Sequence, residues 1–141
     1  MKSIIRYILI ALGLFLLIQI IPYGRSHTNP PVIAEPAWDS PQTRALSVRA
    51  CMDCHGNGTT WPWYSNFAPI SWLVQRDVDE ARQKLNFSTW GQGRQQTNRI
   101  DSLINNGEMP PFQFLIMHPD AALTNSEKQA LIQGLQITLG K

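Results

Sequence analysis

Cys51-Met52-Asp53-Cys54-His55 is the stretch that decides the fold, and it contains both cysteines of this 141-residue chain. Two residues separate the thiols, and a histidine directly follows the second thiol. This spacing allows both thiols to form thioethers with the two vinyl groups of one haem, and the histidine then faces the iron. The stretch therefore predicts one covalently attached haem c with His55 as the proximal iron ligand.

Three other kinds of site also use two closely spaced cysteines. A redox-active disulfide is normally found in a βαβ setting, which the hydrophobic pattern of this chain does not indicate. A structural zinc ion needs four ligands, and too few candidate ligands lie near Cys51 and Cys54. A structural disulfide between these two residues is the third alternative. Haem attachment is the preferred interpretation.

The composition limits the size and the class of the protein. A chain of 141 residues has room for one folded domain and an appendage. Hydrophobic residues make up 43% and charged residues 16%, which is typical of a globular domain. The net charge is only +2, and no cluster of lysine or arginine is interleaved with aromatic residues. This pattern argues against a nucleic-acid partner.

The N-terminus is strongly apolar. Residues 4–21 contain only two strongly polar side chains, Arg6 and Gln19, and as a helix they would span about 27 Å, close to a bilayer core. Lys2 and Arg6 lie at the N-terminal end of this segment, which predicts a cytoplasmic N-terminus. We therefore expect residues 1–22 to form a transmembrane signal anchor in the inner membrane, with the rest of the chain on the periplasmic side. A cleaved signal peptide is the alternative.

Two further segments follow the predicted anchor. Residues 23–39 are rich in proline and are predicted to form a tether. Residues 40–141 are predicted to form an all-α domain, because capping residues and apolar spacing indicate four helices. These helices are expected from Pro41 into the cysteines, from Ser71 to Asn86, from Thr97 to Asn106 and from Thr124 to Gly140. Such short helices make a thin core, which a haem would fill.

Met109 is the predicted distal ligand of the haem iron. It comes after a helix terminator, Gly107, and before Pro110 and Pro111, which stiffen the chain. A stiff loop can hold a thioether sulfur at the iron. His118 is the rival ligand, and a role as a plain core residue is the other alternative for Met109.

Aromatic and basic side chains provide candidates for the haem surroundings. Trp61 and Trp63 belong to an aromatic cluster soon after the histidine and are predicted to contact the haem. Arg94 and Arg99 are candidates for ion pairs with the haem propionates, although both could simply be exposed surface residues.

These residues together resemble the haem-binding domain proteins of the cytochrome c-like class. The shared segments extend over most of the chain: Asn29-Pro30-Pro31-Val32, Cys51-Met52-Asp53-Cys54-His55, Thr60-Trp61-Pro62-Trp63-Tyr64, Ala68-Pro69-Ile70-Ser71-Trp72-Leu73, Leu85-Asn86-Phe87-Ser88 with Trp90, and Glu108-Met109-Pro110-Pro111 before His118-Pro119. The resemblance implies an all-α cytochrome c-like fold around haem c. It also implies attachment at Cys51 and Cys54, with His55 as proximal and Met109 as distal ligand.

The predicted function follows from the two axial ligands. An iron that binds His55 and Met109 is closed to substrates, which favours electron transfer over catalysis. We therefore expect a membrane-tethered periplasmic c-type cytochrome that transfers single electrons and is not an enzyme, with unknown redox partners. The alternatives are a haem-based sensor with a displaceable distal ligand, and a peroxidase-like enzyme, for which no acid–base constellation is recognisable.

Overall fold

A computed structural model of the chain describes residues 1–93 and 95–140. The described part is helical, and its only β-type pairing is an isolated bridge between Ala34 and Thr89. Its α-helices are α1 (Lys2–Ile18), α2 (Pro41–Ala50), α3 (Met52–His55), α4 (Ile70–Lys84), α5 (Ile100–Asn105), α6 (Phe112–Met117) and α7 (Asn125–Thr138). Two 3-10 helices span Trp63–Asn66 and Pro119–Ala121.

The four helices expected after residue 40 are confirmed as α2, α4, α5 and α7. Ser40 caps α2 by accepting a hydrogen bond from the Thr43 N–H. Thr124 and Glu127 form a capping box at the start of α7, as their spacing predicts. Helix α5 begins three residues later than expected, because residues 97–99 form a turn in which the N–H of Ile100 bonds to the Thr97 carbonyl oxygen.

The N-terminal prediction is wrong. Helix α1 ends at Ile18, and its 17 residues span about 26 Å. The Gln19 side chain follows, with its amide bonded to both backbone groups of Ala68 (2.9 and 3.0 Å). No helix within residues 1–93 and 95–140 combines the length and the apolar character needed to cross a membrane. This finding corrects the transmembrane helix predicted for residues 1–22 and the single-pass inner-membrane location derived from it.

The chain divides into two compact units. The first unit comprises Met1–Thr28 and Thr60–Asp77, and the second comprises Asn29–Thr59 and the chain from Val78 onwards. Helix α4 contributes residues to both units, because the boundary lies between Asp77 and Val78. The boundaries expected from the sequence, at residues 22 and 39, stay a prediction.

Residues 19–28 of the first unit pack against its second segment. Gly24 has a positive φ of 79°, and a Cβ there would lie 2.2 Å from the Ser71 carbonyl oxygen, so only glycine fits. The His27 imidazole Nε2 lies 2.9 Å from the Ser65 hydroxyl oxygen, and its ring stacks on Trp61. His27 is therefore half-buried.

The second unit contains the main apolar core. Leu131 and Leu135 of α7 are almost completely buried there, together with Phe87. Helix α7 packs against α2 and α5, and the 3-10 helix at Pro119–Ala121 packs against both α2 and α6. The buried residues that form this core cluster are Leu46, Leu85, Phe87, Ile104, Leu131, Ile132 and Leu135.

Candidate haem site

Helix α2 carries the chain to the first cysteine. Its inner face buries Leu46 and Ala50 and packs against α7. Gly134 of α7 approaches α2 so closely that a Cβ there would be 1.9 Å from the Thr43 hydroxyl oxygen. This packing holds α2 against α7, and Cys51 directly follows the last residue of α2.

Cys51 ends α2 and begins the single-turn helix α3. Its N–H donates to the Ser47 carbonyl oxygen (2.8 Å), and its own carbonyl oxygen accepts from the N–H groups of Cys54 (3.2 Å) and His55 (2.8 Å). Side chains three and four positions apart lie on the same face of a helical turn. One short segment of the chain therefore carries both thiols and the imidazole.

The cysteine side chains are reduced, and neither forms a disulfide. Cys51 packs against the apolar core. This burial raises the pKa of Cys51 to about 12, and the neighbouring Cys54 thiol is the smaller cause of the increase. The Cys51 thiol therefore keeps its proton at neutral pH. Within residues 1–93 and 95–140, no group of three or more histidine, cysteine, aspartate or glutamate side chains lies together where it could bind a metal ion.

The His55 ring is held by the backbone of the segment that follows α4. Its Nδ1 atom lies 2.9 Å from the Leu85 carbonyl oxygen, which can only accept a hydrogen bond. Nδ1 must therefore carry the proton, and the lone pair of the neutral ring is on Nε2, which is the arrangement of an iron-binding histidine. The backbone carbonyl oxygen of His55 also accepts from the Phe87 N–H (2.8 Å).

The surroundings of His55 favour the neutral ring. Burial is the largest effect and lowers the pKa of His55, and the positive charge of Lys84 lowers it further. Hydrogen bonds to the carbonyl groups of Leu85 and Ala81 raise the pKa in part. Since only a neutral imidazole can donate its lone pair to a metal, these effects keep the ring competent as a ligand near neutral pH.

Met109 lies in the loop between α5 and α6. The N–H groups of Glu108 and Met109 both donate to the Leu103 carbonyl oxygen (2.9 and 3.1 Å), after a turn in which Gly107 has a φ of 72°. The backbone at Met109 is thus well held, but its side chain is 37% exposed and is not part of the core. The alternative of a plain core residue is therefore not supported.

Residues 13–137 match a family described as a haem-binding domain. The chain belongs to this haem-binding domain family. The match extends over most of the chain and includes the whole Cys51 to His55 stretch, so haem binding is a property of this protein. Comparisons with curated proteins and with solved structures gave no match.

The donor groups of this haem-binding domain fit a haem of the c type. Thioether formation adds the S–H of each thiol across a vinyl double bond without a leaving group, so it requires cysteines that are not in a disulfide, and neither cysteine forms one. Iron ligation requires a neutral imidazole with its lone pair on Nε2, and this is the tautomer that the bond from His55 to Leu85 selects.

Helix α6 provides apolar surface that the protein itself leaves uncovered. None of its six residues is buried, although all but Gln113 are apolar. Phe112 is 75% exposed, Ile116 61% and Met117 50%. A haem-binding domain needs apolar surface to cover the porphyrin, and the segment from Met109 to Met117 provides such a surface. The short helix escaped prediction because its six residues, five of them apolar, are too few to show a helical period.

The other side chains predicted to lie near the haem are found in different parts of the structure. His118 stacks on Phe114, with ring centroids 4.2 Å apart, so its ring already has a neighbour within the protein. Trp61 and Trp63 belong to the first unit, where Trp61 stacks on His27 and Trp63, 72% exposed, makes edge contacts with the nearby rings of Tyr64 and Phe67. Their contact with haem stays a prediction. Arg99 is exposed, and Arg94 lies outside the described residues.

Sequence reasoning missed the groups that hold His55. The Leu85 carbonyl is a backbone group and has no sequence signature. Arg82 of α4 donates from Nε to the Gly56 carbonyl oxygen (2.9 Å) and from Nη2 to the Thr59 hydroxyl (2.9 Å), so it secures the turn directly after His55. Its position next to the histidine is determined by tertiary packing and cannot be derived from spacing along the chain.

Proposed function

We propose that this haem-binding domain carries one covalently attached haem c and transfers single electrons. Cys51 and Cys54 would hold the haem through thioethers, His55 would bind the iron through Nε2, and Met109 would bind its opposite face. When bound, the haem iron supplies a one-electron change between its ferric and ferrous states. The protein contributes attachment, ligand orientation and an apolar cover.

The observation that carries the proposal is the hydrogen bond from His55 Nδ1 to the Leu85 carbonyl oxygen. It fixes the tautomer and the direction of the ring, two properties that a metal-binding histidine requires. The same histidine directly follows two reduced thiols at the spacing of haem c attachment. Family membership supplies the cofactor, and these details support its covalent form.

Electron transfer depends on the second axial ligand. Two strong ligands leave no open position on the iron, so the haem changes oxidation state without binding a substrate. Met109 is supported as this ligand because its backbone is anchored at Leu103 while its side chain stays out of the core. The proposal assigns no catalytic residue.

A visible spectrum of the purified protein tests the ligand set. Reduction should give a low-spin c-type spectrum, and the oxidised form should show the methionine-to-iron charge-transfer band in the red. Met109→Leu should abolish that band, whereas Met117→Leu, the matched control in α6, should keep it. A band that persists in Met109→Leu, or a wild-type protein that never shows one, would reject Met109 as the distal ligand.

A haem-based sensor is the second candidate, and the exposure of Met109 favours it. A thioether that is 37% exposed is not enclosed by the core and could leave the iron when a gas ligand arrives. Carbon monoxide distinguishes the two functions. Rapid binding to the ferrous protein supports a sensor, and a spectrum that carbon monoxide leaves unchanged supports an electron carrier.

A further inference from the structure

Three buried polar side chains lie beside the backbone groups that bond to His55. Asn57 follows the histidine in the chain, and Asn86 and Ser88 belong to segment 85–88, directly after α4. Their exposed fractions are only 4%, 7% and 0%. Buried polar groups are costly unless they are hydrogen-bonded, so such a cluster needs a complete set of partners.

Each side-chain nitrogen and oxygen of the cluster has a hydrogen-bond partner, in a single consistent orientation. Asn57 Nδ2 lies 2.8 Å from the Pro31 carbonyl oxygen and must donate to it, which leaves Asn57 Oδ1 as an acceptor for Asn86 Nδ2 (2.8 Å). Asn86 Oδ1 then accepts from the Ser88 N–H (2.8 Å), and the Asn57 N–H donates to Ser88 Oγ (2.9 Å). Rotating either amide by half a turn would place two donors or two acceptors face to face.

These bonds join the turn after His55 to the groups that bind His55. Leu85, whose carbonyl accepts from the ring, and Phe87, whose N–H donates to the His55 carbonyl, are the two chain neighbours of Asn86. Gly56 allows the close approach, since a Cβ there would lie 2.7 Å from the Met52 carbonyl oxygen and 3.4 Å from Ser88 Oγ. Segment 85–88 therefore cannot shift without breaking buried hydrogen bonds.

We propose that Asn57, Asn86 and Ser88 are positioning residues that fix the Leu85 carbonyl and thereby the orientation of the His55 ring at the haem iron. This inference rests on the proposed role of His55 as the proximal ligand. Groups outside the ligands commonly set the orientation and basicity of a ligating histidine, and thus the properties of the metal. None of the three side chains needs to touch the haem.

The test uses the haem-loaded protein and two readouts that respond to ligand orientation. These are the largest g value of the low-spin ferric EPR spectrum and the midpoint potential of the haem. Ser88→Ala removes one hydroxyl with almost no change in shape, and Asn86→Ala removes the link to Asn57. Both variants should shift the g value and the potential from their wild-type values. Ser88→Thr, which restores a hydroxyl, should return both readouts towards wild type.

The matched control is Asn105→Ala. Asn105 is an exposed asparagine of α5 whose side chain bonds to Gln129, and its loss should leave both readouts unchanged. If Asn86→Ala does not fold, Ser88→Ala decides the question by itself. A Ser88→Ala protein that is less stable but keeps the wild-type g value and potential would show a purely structural role and would overturn the inference.

Failure of the proposed function is visible separately. A wild-type protein without covalent haem, or without a low-spin histidine-ligated signal, contradicts the ligand assignment before any variant is made. A wild-type protein with both properties, together with variants that show no shift, contradicts only the positioning role.

Discussion

Replacing Gly134 with alanine should destabilise the second unit, although alanine is the better helix former. Gly134 lies in α7, where this helix packs against α2. A Cβ at this position would be 1.9 Å from Thr43 Oγ1, 2.7 Å from Thr43 Cγ2 and 2.8 Å from Thr43 Cβ. Rotating the threonine side chain moves the first two atoms but leaves its Cβ in place. Helix α2 must therefore move away from α7.

The expected magnitude follows from two opposing effects. Alanine stabilises a helix interior by about 1 kcal/mol relative to glycine. Overpacking a well-packed core costs up to about 3 kcal/mol, and this contact belongs at the upper end because it cannot relax by rotation. The net loss in the free energy of unfolding should be about 2 kcal/mol, or a factor of about 30 in the folding equilibrium. Urea denaturation followed by circular dichroism measures it.

Two further variants make the reasoning refutable. Gly13→Ala is the matched control, because Gly13 lies inside α1 and a Cβ there meets nothing within 4 Å, so it should not destabilise the protein. Thr43→Ala should recover part of the stability lost in Gly134→Ala, which a double-mutant cycle would show as coupling. A Gly134→Ala protein as stable as wild type, or more stable, would refute the described packing of α2 on α7.

Three further predictions concern protonation. In the haem-free protein, stability should fall as the pH drops below 6.5, because burial lowers the folded-state pKa of His55 and the unfolded chain then binds the proton first. His55→Phe should reduce this dependence in denaturation of the haem-free protein measured against pH. Hydrogen bonds from the Thr124 N–H and Arg49 lower the pKa of Glu127 to about 2. Its stabilising effect should therefore be complete above pH 4.5 and vanish as the pH falls towards 2. Glu127→Gln should abolish this dependence of stability on pH. In a haem-free Cys54→Ser variant, Cys51 should react with iodoacetamide at neutral pH much more slowly than an exposed cysteine. Burial, the largest cause of its raised pKa, persists in this variant and lowers the thiolate fraction, and equal rates would contradict the raised pKa.

Local signals were sufficient for much of the fold. The start of α2 follows from a serine before a proline, and the start of α7 from a threonine three residues before a glutamate, and both caps form as expected. These signals involve residues within one helical turn, so neighbours in the sequence contain all the required information. The haem motif is equally local, and family membership agrees with it.

Other features depend on contacts between distant parts of the chain. Counting apolar residues extended the N-terminal helix through Gln19, but the amide of this residue bonds to Ala68, 49 positions away, and α1 ends before it. The support of His55 likewise comes from Leu85, 30 positions away, through a carbonyl that every residue type possesses. No periodicity or spacing rule indicates such partners.

The attachment of the haem is the central claim, and intact-mass measurement after acid–acetone extraction tests it most directly. The protein should be produced in cells that attach haem c to a known cytochrome, which serves as the positive control. We predict that the haem stays with the polypeptide and adds the mass of one haem to the chain, and that the Cys51→Ser and Cys54→Ser double variant has the bare mass. If acid–acetone removes all the haem from the wild-type protein but not from the control cytochrome, covalent attachment is contradicted.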